Sequence, residues 1–226
     1  LHAQQVPQSK TAQMAPKAKA AAKPAATKNK AQLKSQLLGD WQKVIAKADL
    51  PVSIAVYSKQ YGLIVAYNNR PKVAHTTASI VKVAMLTELL HTHRQAGATL
   101  TTAEVGNAEQ AIQNSDNAAA TNLYHAINSA QGLTRLFADL KMTQSHAYAS
   151  GWVATTTTAS DQLRLLNQIF YPGDYLSAKS QTYIQDLMSK VEADQQWGVS
   201  AGAATYQLKN GWRLNGDNTW IVNSIG

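Results

Sequence analysis

Ser79 and Lys82, a serine and a lysine three residues apart, form the first pair in this sequence that could do chemistry. They lie near the start of an apolar stretch, residues 78–95, whose pattern predicts a buried helix. Because residues i and i+3 share a helix face, the hydroxyl and the amine can meet. Burial lowers the pKa of a lysine, whose neutral amine can then take a proton from a hydroxyl. A chain of this composition contains about one Ser-x-x-Lys by chance. The pair is therefore informative only because its lysine lies inside a predicted buried helix.

Two further motifs place polar groups where they could join this pair. Ser115-Asp116-Asn117 opens a predicted helix, where such residues often serve only as N-caps. Composition predicts roughly 0.03 occurrences of that ordered triplet, so it is moderately specific. Lys209-Asn210-Gly211 lies on a predicted strand near the end of the chain. There a glycine lets a ligand lie along the strand, and a lysine offers positive charge to a carboxylate, although a solvent-facing lysine beside a bulge is the ordinary alternative.

Hydrophobic periodicity predicts the elements that must position these motifs. A helix over 33–48 precedes a hairpin of two strands, Val52–Tyr57 and Leu63–Tyr67. Helical patterns follow over 78–95, 102–113, 116–129, 132–140, 158–170 and 177–191. Two strands, Ala204–Leu214 and Asn218–Ile225, then flank the turn signal Asn215-Gly216-Asp217-Asn218.

This order of elements predicts an α/β (α+β) fold. An antiparallel sheet is built from both chain ends, over 33–75 and 196–226, and a helical lobe, 76–195, is inserted between them. A cleft between two such lobes is a natural place for a site.

Together and in this order, the three motifs resemble those of the penicillin-recognising serine enzymes, namely the class A β-lactamases and the DD-peptidases or penicillin-binding proteins. The resemblance covers about Leu37 to Gly226 and implies a β-lactamase/transpeptidase-like fold. It implies that Ser79 is the nucleophile, which forms an acyl-enzyme with a β-lactam or a D-Ala-D-Ala-like peptide. Lys82 would be the base or proton relay for that attack.

The resemblance also implies roles for the other motif residues. Ser115 would pass a proton to the leaving nitrogen, and Asn117 would hold Lys82 and the substrate amide. Lys209 would bind the substrate carboxylate with help from Asn210, along the strand that Gly211 leaves open. The backbone N–H groups of Ser79 and Trp212 would form the oxyanion hole. The resemblance implies neither a cofactor nor a metal.

The sequence departs from class A β-lactamases in the loop that activates the hydrolytic water. Those enzymes carry a Glu-x-x-Leu-Asn run there, whereas this chain has no acidic residue between Asp139 and Asp161. The matching loop is shortened to Thr143–Ala154, where His146 is a weak candidate for a substitute base. We therefore expect acylation without efficient β-lactam turnover.

Three smaller departures concern the edges of the cleft. Asn210 replaces the usual hydroxyl residue, which would change the contacts to the carboxylate. The interval from Ser79 to Ser115 is short, which predicts a trimmed helical lobe and a more open cleft. The sequence ends at Ile225-Gly226, where the family adds a strand and a helix, so either the chain is truncated or a sheet edge is exposed.

The formal charge of +8 belongs to one end of the chain. Seven lysines precede the first acid, Asp40, whereas from residue 35 onward 14 basic residues face 13 acidic ones, a net of +1. This distribution argues against a nucleic-acid partner. Residues 1–32 are predicted to be a disordered Lys/Ala/Pro-rich tail, which is either a solvated linker or a tether to an anionic cell-wall polymer.

Two absences in the sequence exclude some kinds of protein. The chain has no cysteine, which excludes thiol nucleophiles and cysteine-bound zinc, and no apolar run long enough to span a membrane. Neither absence decides where the protein is found, but the resemblance to penicillin-recognising enzymes implies a secreted, extracellular or cell-wall-associated serine hydrolase. Whether it is a β-lactamase, a peptidase or an esterase stays open. The competing hypothesis is a non-catalytic wall-binding module that keeps the fold, favoured by the missing glutamate and opposed by the full set of Ser79, Lys82, Ser115 and Lys209.

Overall fold

Within residues 29–226, which this computed structural model describes, seven α-helices and three pairs of antiparallel strands form the predicted mixed α/β fold. The helices are α1 Lys30–Ile45, α2 Val81–Gln95, α3 Thr102–Gln113, α4 Asn117–Ala126, α5 Ala130–Asp139, α6 Ala159–Phe170 and α7 Ala178–Ser189. The strands are β1 Ser53–Ser58, β2 Leu63–Asn68, β3 His75–Thr76, β4 Thr156–Thr157, β5 Lys209–Leu214 and β6 Trp220–Ile225. Short 3-10 turns cover Ala78–Ile80, Trp152–Ala154 and Ala193–Gln195.

The first helix begins earlier than the periodicity predicts. Asn29 Oδ1 accepts a hydrogen bond from the Gln32 N–H at 2.9 Å, and Gln32 Oε1 accepts one from the Asn29 N–H at 3.0 Å. This capping box satisfies two otherwise free amide groups and starts the helix at Lys30. The end of the predicted tail is therefore helical. The rest of that tail, 1–28, lies outside the described residues.

Helix α2 is the central helix, as its apolar pattern predicts. Residues 81–90 are all buried, and α3, α4, α5 and α7 pack around it. Two charged side chains, Lys82 and Glu88, lie in this apolar surrounding. A lysine or glutamate is rarely buried without polar partners, so each of them marks a polar arrangement inside the helical lobe.

The terminal strands form two hairpins rather than one continuous sheet. β1 pairs only with β2, and β5 only with β6, among residues 29–226. A groove of about 910 Å³ lies between the hairpins, lined by β1, α6, β6 and residues 199–207. The prediction of antiparallel strands near both ends of the fold is thus confirmed, but within the described residues no strand pairing joins the two hairpins.

Two details of the strands differ from the sequence prediction. β5 begins at Lys209 rather than Ala204, and just before it the Leu208 N–H donates to Met188 O at 3.0 Å rather than to a neighbouring strand. The pair β3–β4 was not predicted, since two-residue strands leave no periodicity to detect. None of the described helices has the length and hydropathy of a membrane span.

Candidate active site

Lys82 is buried with three hydrogen-bond acceptors around its Nζ atom. It donates to Ser115 O at 2.6 Å, Asn117 Oδ1 at 2.9 Å and Ser115 Oγ at 3.3 Å. A lysine ammonium has three N–H donors, so these contacts satisfy all of them. Asp116 Oδ1 caps α4 by accepting from the Ala119 N–H, which holds Asn117 at the helix start. The sequence prediction that the second motif opens a helix is therefore correct, and two residues of this motif also present three acceptors to Lys82.

Lys209, at the start of strand β5, reaches the same serine. Its Nζ atom donates to Ser115 Oγ at 2.9 Å and to Asn210 O at 3.0 Å. Ser115 has a φ of +59°, a left-handed conformation that is costly for a residue with a side chain. The strained residue thus places one hydroxyl between two lysines.

Both lysines lose proton affinity in this setting. Burial lowers the pKa of Lys82 to about 8, and Asp116 opposes that shift by attraction. Burial and the neighbouring Lys82 lower the pKa of Lys209 to about 7. Desolvation penalises an ammonium, and two ammonium groups sharing one hydroxyl repel each other. Near neutral pH, a neutral amine that can accept a proton is therefore accessible in the cleft.

Ser79 lies in the 3-10 turn that leads into α2, and its side chain is partly exposed. The preceding residue, Ala78, has a φ of +46°, so backbone strain also adjoins this position. Strand β5 packs closely against this turn at its residue Gly211. A Cβ at Gly211 would lie 2.6 Å from Ser79 N and 2.8 Å from Ile80 N. Only glycine permits this approach, which brings the third motif against the first.

Asn223 joins the last strand to the same turn, and the sequence prediction missed it. Its Nδ2 atom donates to Thr76 O at 2.9 Å and to Thr77 O at 3.0 Å, just before the turn that carries Ser79. A solitary asparagine on an edge-like strand gives no signal in the sequence, because its partners are backbone carbonyls 146 and 147 residues away.

Asn210 points away from the other predicted site residues. It is fully buried, and its Nδ2 atom donates to Gln195 O at 2.6 Å and to Trp197 O at 2.9 Å. Asn210 Oδ1 is also buried. The structure thus places this side chain in the wall of the cleft, holding the segment after α7, rather than toward a substrate. Trp212 is partly exposed on β5, and its ring lies edge-on to Trp197 at 5.9 Å.

Trp152 covers Lys82 from the side of the shortened loop. The Lys82 Nζ atom lies 5.2 Å from the centre of the indole ring, and Trp152 is buried. The sequence prediction missed this residue. The available signal was a large aromatic side chain in the loop that lacks the expected glutamate.

His146, the weak candidate for a base, lies elsewhere. It is exposed and borders a separate cavity of about 370 Å³ together with Phe137, Met142 and Ser145. Within residues 29–226, no three acidic or histidine side chains converge in a way that could hold a metal ion.

A family model and several solved structures relate this chain to beta-lactamases. A family model described as "Beta-lactamase enzyme family" matches residues 92–214, a span that includes the second and third motifs. The crystal structure of TLA-3 extended-spectrum beta-lactamase is similar with a TM-score of 0.74 and 14% identity, over 85% of this chain and 84% of that one. No curated protein matches this sequence.

Two other solved structures are similar in fold. The structure of PBP-A gives a TM-score of 0.66 and 17% identity, over 78% of this chain and 77% of that one. A class A beta-lactamase from Bacteroides cellulosilyticus gives a TM-score of 0.71 and 12% identity, over 88% and 83%. At such low identities the likeness concerns the fold.

Proposed function

Since this chain belongs to the beta-lactamase enzyme family, and so to a superfamily of serine hydrolases, we propose that it forms an acyl-enzyme at Ser79 with β-lactams or D-Ala-D-Ala-like peptides. The observation that carries the proposal is the hydrogen-bonded row Lys82–Ser115–Lys209 beside the turn that holds Ser79. A binding module without chemistry has no need of two buried lysines with lowered pKa values.

In the acylation step, Ser79 Oγ attacks the carbonyl carbon of the substrate and its proton passes to the neutral amine of Lys82. The negative charge that develops on the carbonyl oxygen is stabilised by the backbone N–H groups of Ser79 and Trp212. The C–N bond then breaks, and the leaving nitrogen takes a proton through the Ser115 hydroxyl. The product is an ester of Ser79 and a free amine.

Lys209 is suited to substrate recognition in this scheme. When protonated, it offers a buried positive charge at the cleft, and a carboxylate there would relieve its repulsion with Lys82. Asn210 then acts indirectly, because it holds the segment 195–197 against the strand that carries Lys209.

The proposed activity is acylation with slow hydrolysis of the ester. Residues 140–160 contain no carboxylate, and the loop presents an indole to Lys82. The protein would thus behave as a penicillin-binding enzyme or a weak β-lactamase.

Intact mass spectrometry with benzylpenicillin tests the proposal. We expect the protein to gain the mass of one penicillin, and Ser79→Ala to gain none, because the ester oxygen is then missing. An adduct formed in equal yield by Ser79→Ala would show that another residue is the nucleophile. Failure of the unaltered protein to form any adduct with benzylpenicillin or a D-Ala-D-Ala peptide ester would refute the proposed function.

We further propose an extracellular or cell-wall location, where substrates of this kind are found, with the lysines of residues 1–28 contacting anionic wall polymer. Cosedimentation of the full chain with purified wall polymer at low and high salt tests this contact. Binding that is lost at high salt supports it, and equal sedimentation with and without polymer contradicts it.

A further inference from the structure

The geometry around Lys82 points to a role for Trp152 that rests on the proposed function: its ring covers Lys82, keeps water from the Ser79 ester and so sets the lifetime of the acyl-enzyme. Trp152 would act through Lys82 and the access of water, as a positioning residue.

The contact itself is the first step of the argument. All three N–H donors of Lys82 point to Ser115 and Asn117, and the indole ring lies 5.2 Å from the same nitrogen. Lys82 has no exposed surface, and Trp152 is only 8% exposed. The ring is therefore part of the cover that separates Lys82 from solvent. A cation over an indole face is also favourable, so the ring can stay in place when Lys82 is protonated.

The ring is held from several directions. Trp152 Nε1 donates to Thr121 Oγ1 on α4 at 3.2 Å. The next residue in the loop, Val153, accepts a hydrogen bond through its carbonyl from Arg213 on β5 at 3.3 Å. Further along, Thr155 O accepts from Thr77 N–H at 2.9 Å, beside the turn that carries Ser79. The loop is thus fastened to α4, to β5 and to the residue before the Ser79 turn, and the ring has little freedom to swing away.

The chemistry of ester hydrolysis explains why this cover matters. A water molecule must attack the acyl carbon while a base removes its proton, after which the C–Oγ bond breaks and Ser79 regains a proton. An indole N–H is a donor only and cannot serve as that base. The ring therefore supplies no base and fills the space beside Lys82, an amine that could act as one. A smaller side chain at this position would admit water next to neutral Lys82.

The decisive experiment compares Trp152→Ala with Trp152→Phe after acylation by benzylpenicillin. Both variants should form the Ser79 adduct. The adduct of Trp152→Ala should decay on the order of a hundredfold faster, because water can reach Lys82, whereas that of Trp152→Phe should decay at nearly the unaltered rate. The matched control is Trp220→Ala, which removes an exposed indole from β6 and should leave the decay unchanged.

A pH profile separates this role from a merely structural one. The faster decay of Trp152→Ala should increase with pH as Lys82 loses its proton, under the opposing influences of Asp116 and Lys209. A lifetime in folded Trp152→Ala equal to that of the unaltered protein would overturn the inference and leave acylation at Ser79 intact. If Trp152→Ala fails to fold, Trp152→Leu carries the same expectation. Absence of any adduct in the unaltered protein would instead overturn the proposed function, and this inference with it.

Discussion

Two lysine side chains meet at the Ser115 hydroxyl, and the proposed acylation gives each of them a different role. In that proposal Lys82 must be neutral to take a proton from Ser79, whereas Lys209 must be charged to attract a carboxylate. The pKa of Lys82 is lowered to about 8 and that of Lys209 to about 7. Raising the pH therefore produces the neutral Lys82 that acylation needs but removes the charge that Lys209 needs. This conflict can be measured.

With an uncharged ester as acyl donor, we expect the acylation rate to rise roughly tenfold from pH 7 to pH 9, because the neutral fraction of Lys82 grows through pH 8. A penicillin that bears a carboxylate should gain less, because Lys209 loses its charge above about pH 7. Stopped-flow acylation with both donors measures the difference. Parallel profiles would mean that the charge of Lys209 does not contribute to recognition.

The same two shifts predict the direction in which stability changes with pH. Both lysines have a pKa of about 10.5 in the unfolded chain, but in the folded protein the pKa is about 8 for Lys82 and about 7 for Lys209. Between about pH 7 and 10.5 the unfolded state therefore binds more protons, and the contribution of these lysines to the free energy of unfolding rises with pH.

At the scale of elements, the site depends on how closely β5 approaches the turn before α2. A Cβ at Gly211 would meet only backbone atoms, which cannot move aside as a flexible side chain can. We expect Gly211→Ala to cost about 1–3 kcal/mol of unfolding free energy through overpacking, and to slow acylation strongly by displacing Ser79. Urea unfolding and adduct formation measure the two effects.

The matched control for this substitution is Gly106→Ala in α3. A Cβ there would meet nothing within 4 Å, and the added methyl group should stabilise the helix by about 0.5–1 kcal/mol. If Gly211→Ala acylated at the unaltered rate, the close approach of β5 would have no part in placing the nucleophile.

Much at this scale could be predicted from local patterns. The helix over 102–113 has the predicted bounds, and the hairpin turn at Asn215–Asn218 lies where its residues indicate, since caps, periodicity and turn residues act over a few positions. The three motifs were also identifiable. What local patterns could not predict were the contacts of Trp152 and Asn223 and the inward direction of Asn210, because their partners are distant in sequence and the contacts exist only after folding.

At the scale of the whole molecule, a second buried charged residue, Glu88, contributes to the packing of the helical lobe. Glu88 on α2 accepts hydrogen bonds from Arg135 Nη2 at 3.0 Å and from the Tyr175 hydroxyl at 2.7 Å. The network joins α2 and α5 to the segment before α7. A carboxylate in this position is tolerated because its partners offset the loss of hydration.

Removal of the arginine should therefore destabilise the protein. We expect Arg135→Met to lower the free energy of unfolding by roughly 2–3 kcal/mol, somewhat less than for a fully buried pair because the arginine is about half exposed. The control is Arg164→Met. That arginine is equally exposed, but its nitrogen lies 3.7 Å from Asp161, beyond hydrogen-bond distance, and Asp161 also accepts from Gln144 N and Ser145 Oγ, so the loss should stay below about 1 kcal/mol. Equal losses in urea unfolding would contradict the difference between these two pairs.

The clamp that Asn223 makes on Thr76 and Thr77 has a consequence for how the protein is made. Its hydrogen bonds span 147 and 146 residues, and the one from Lys209 to Ser115 spans 94. Such contacts form slowly, because a long loop must close before any of them is gained. The helical lobe can fold during synthesis, but the turn that carries Ser79 is held in place only after the β5–β6 hairpin has been made. We therefore expect a nascent chain without this hairpin to lack a competent site for the proposed acylation.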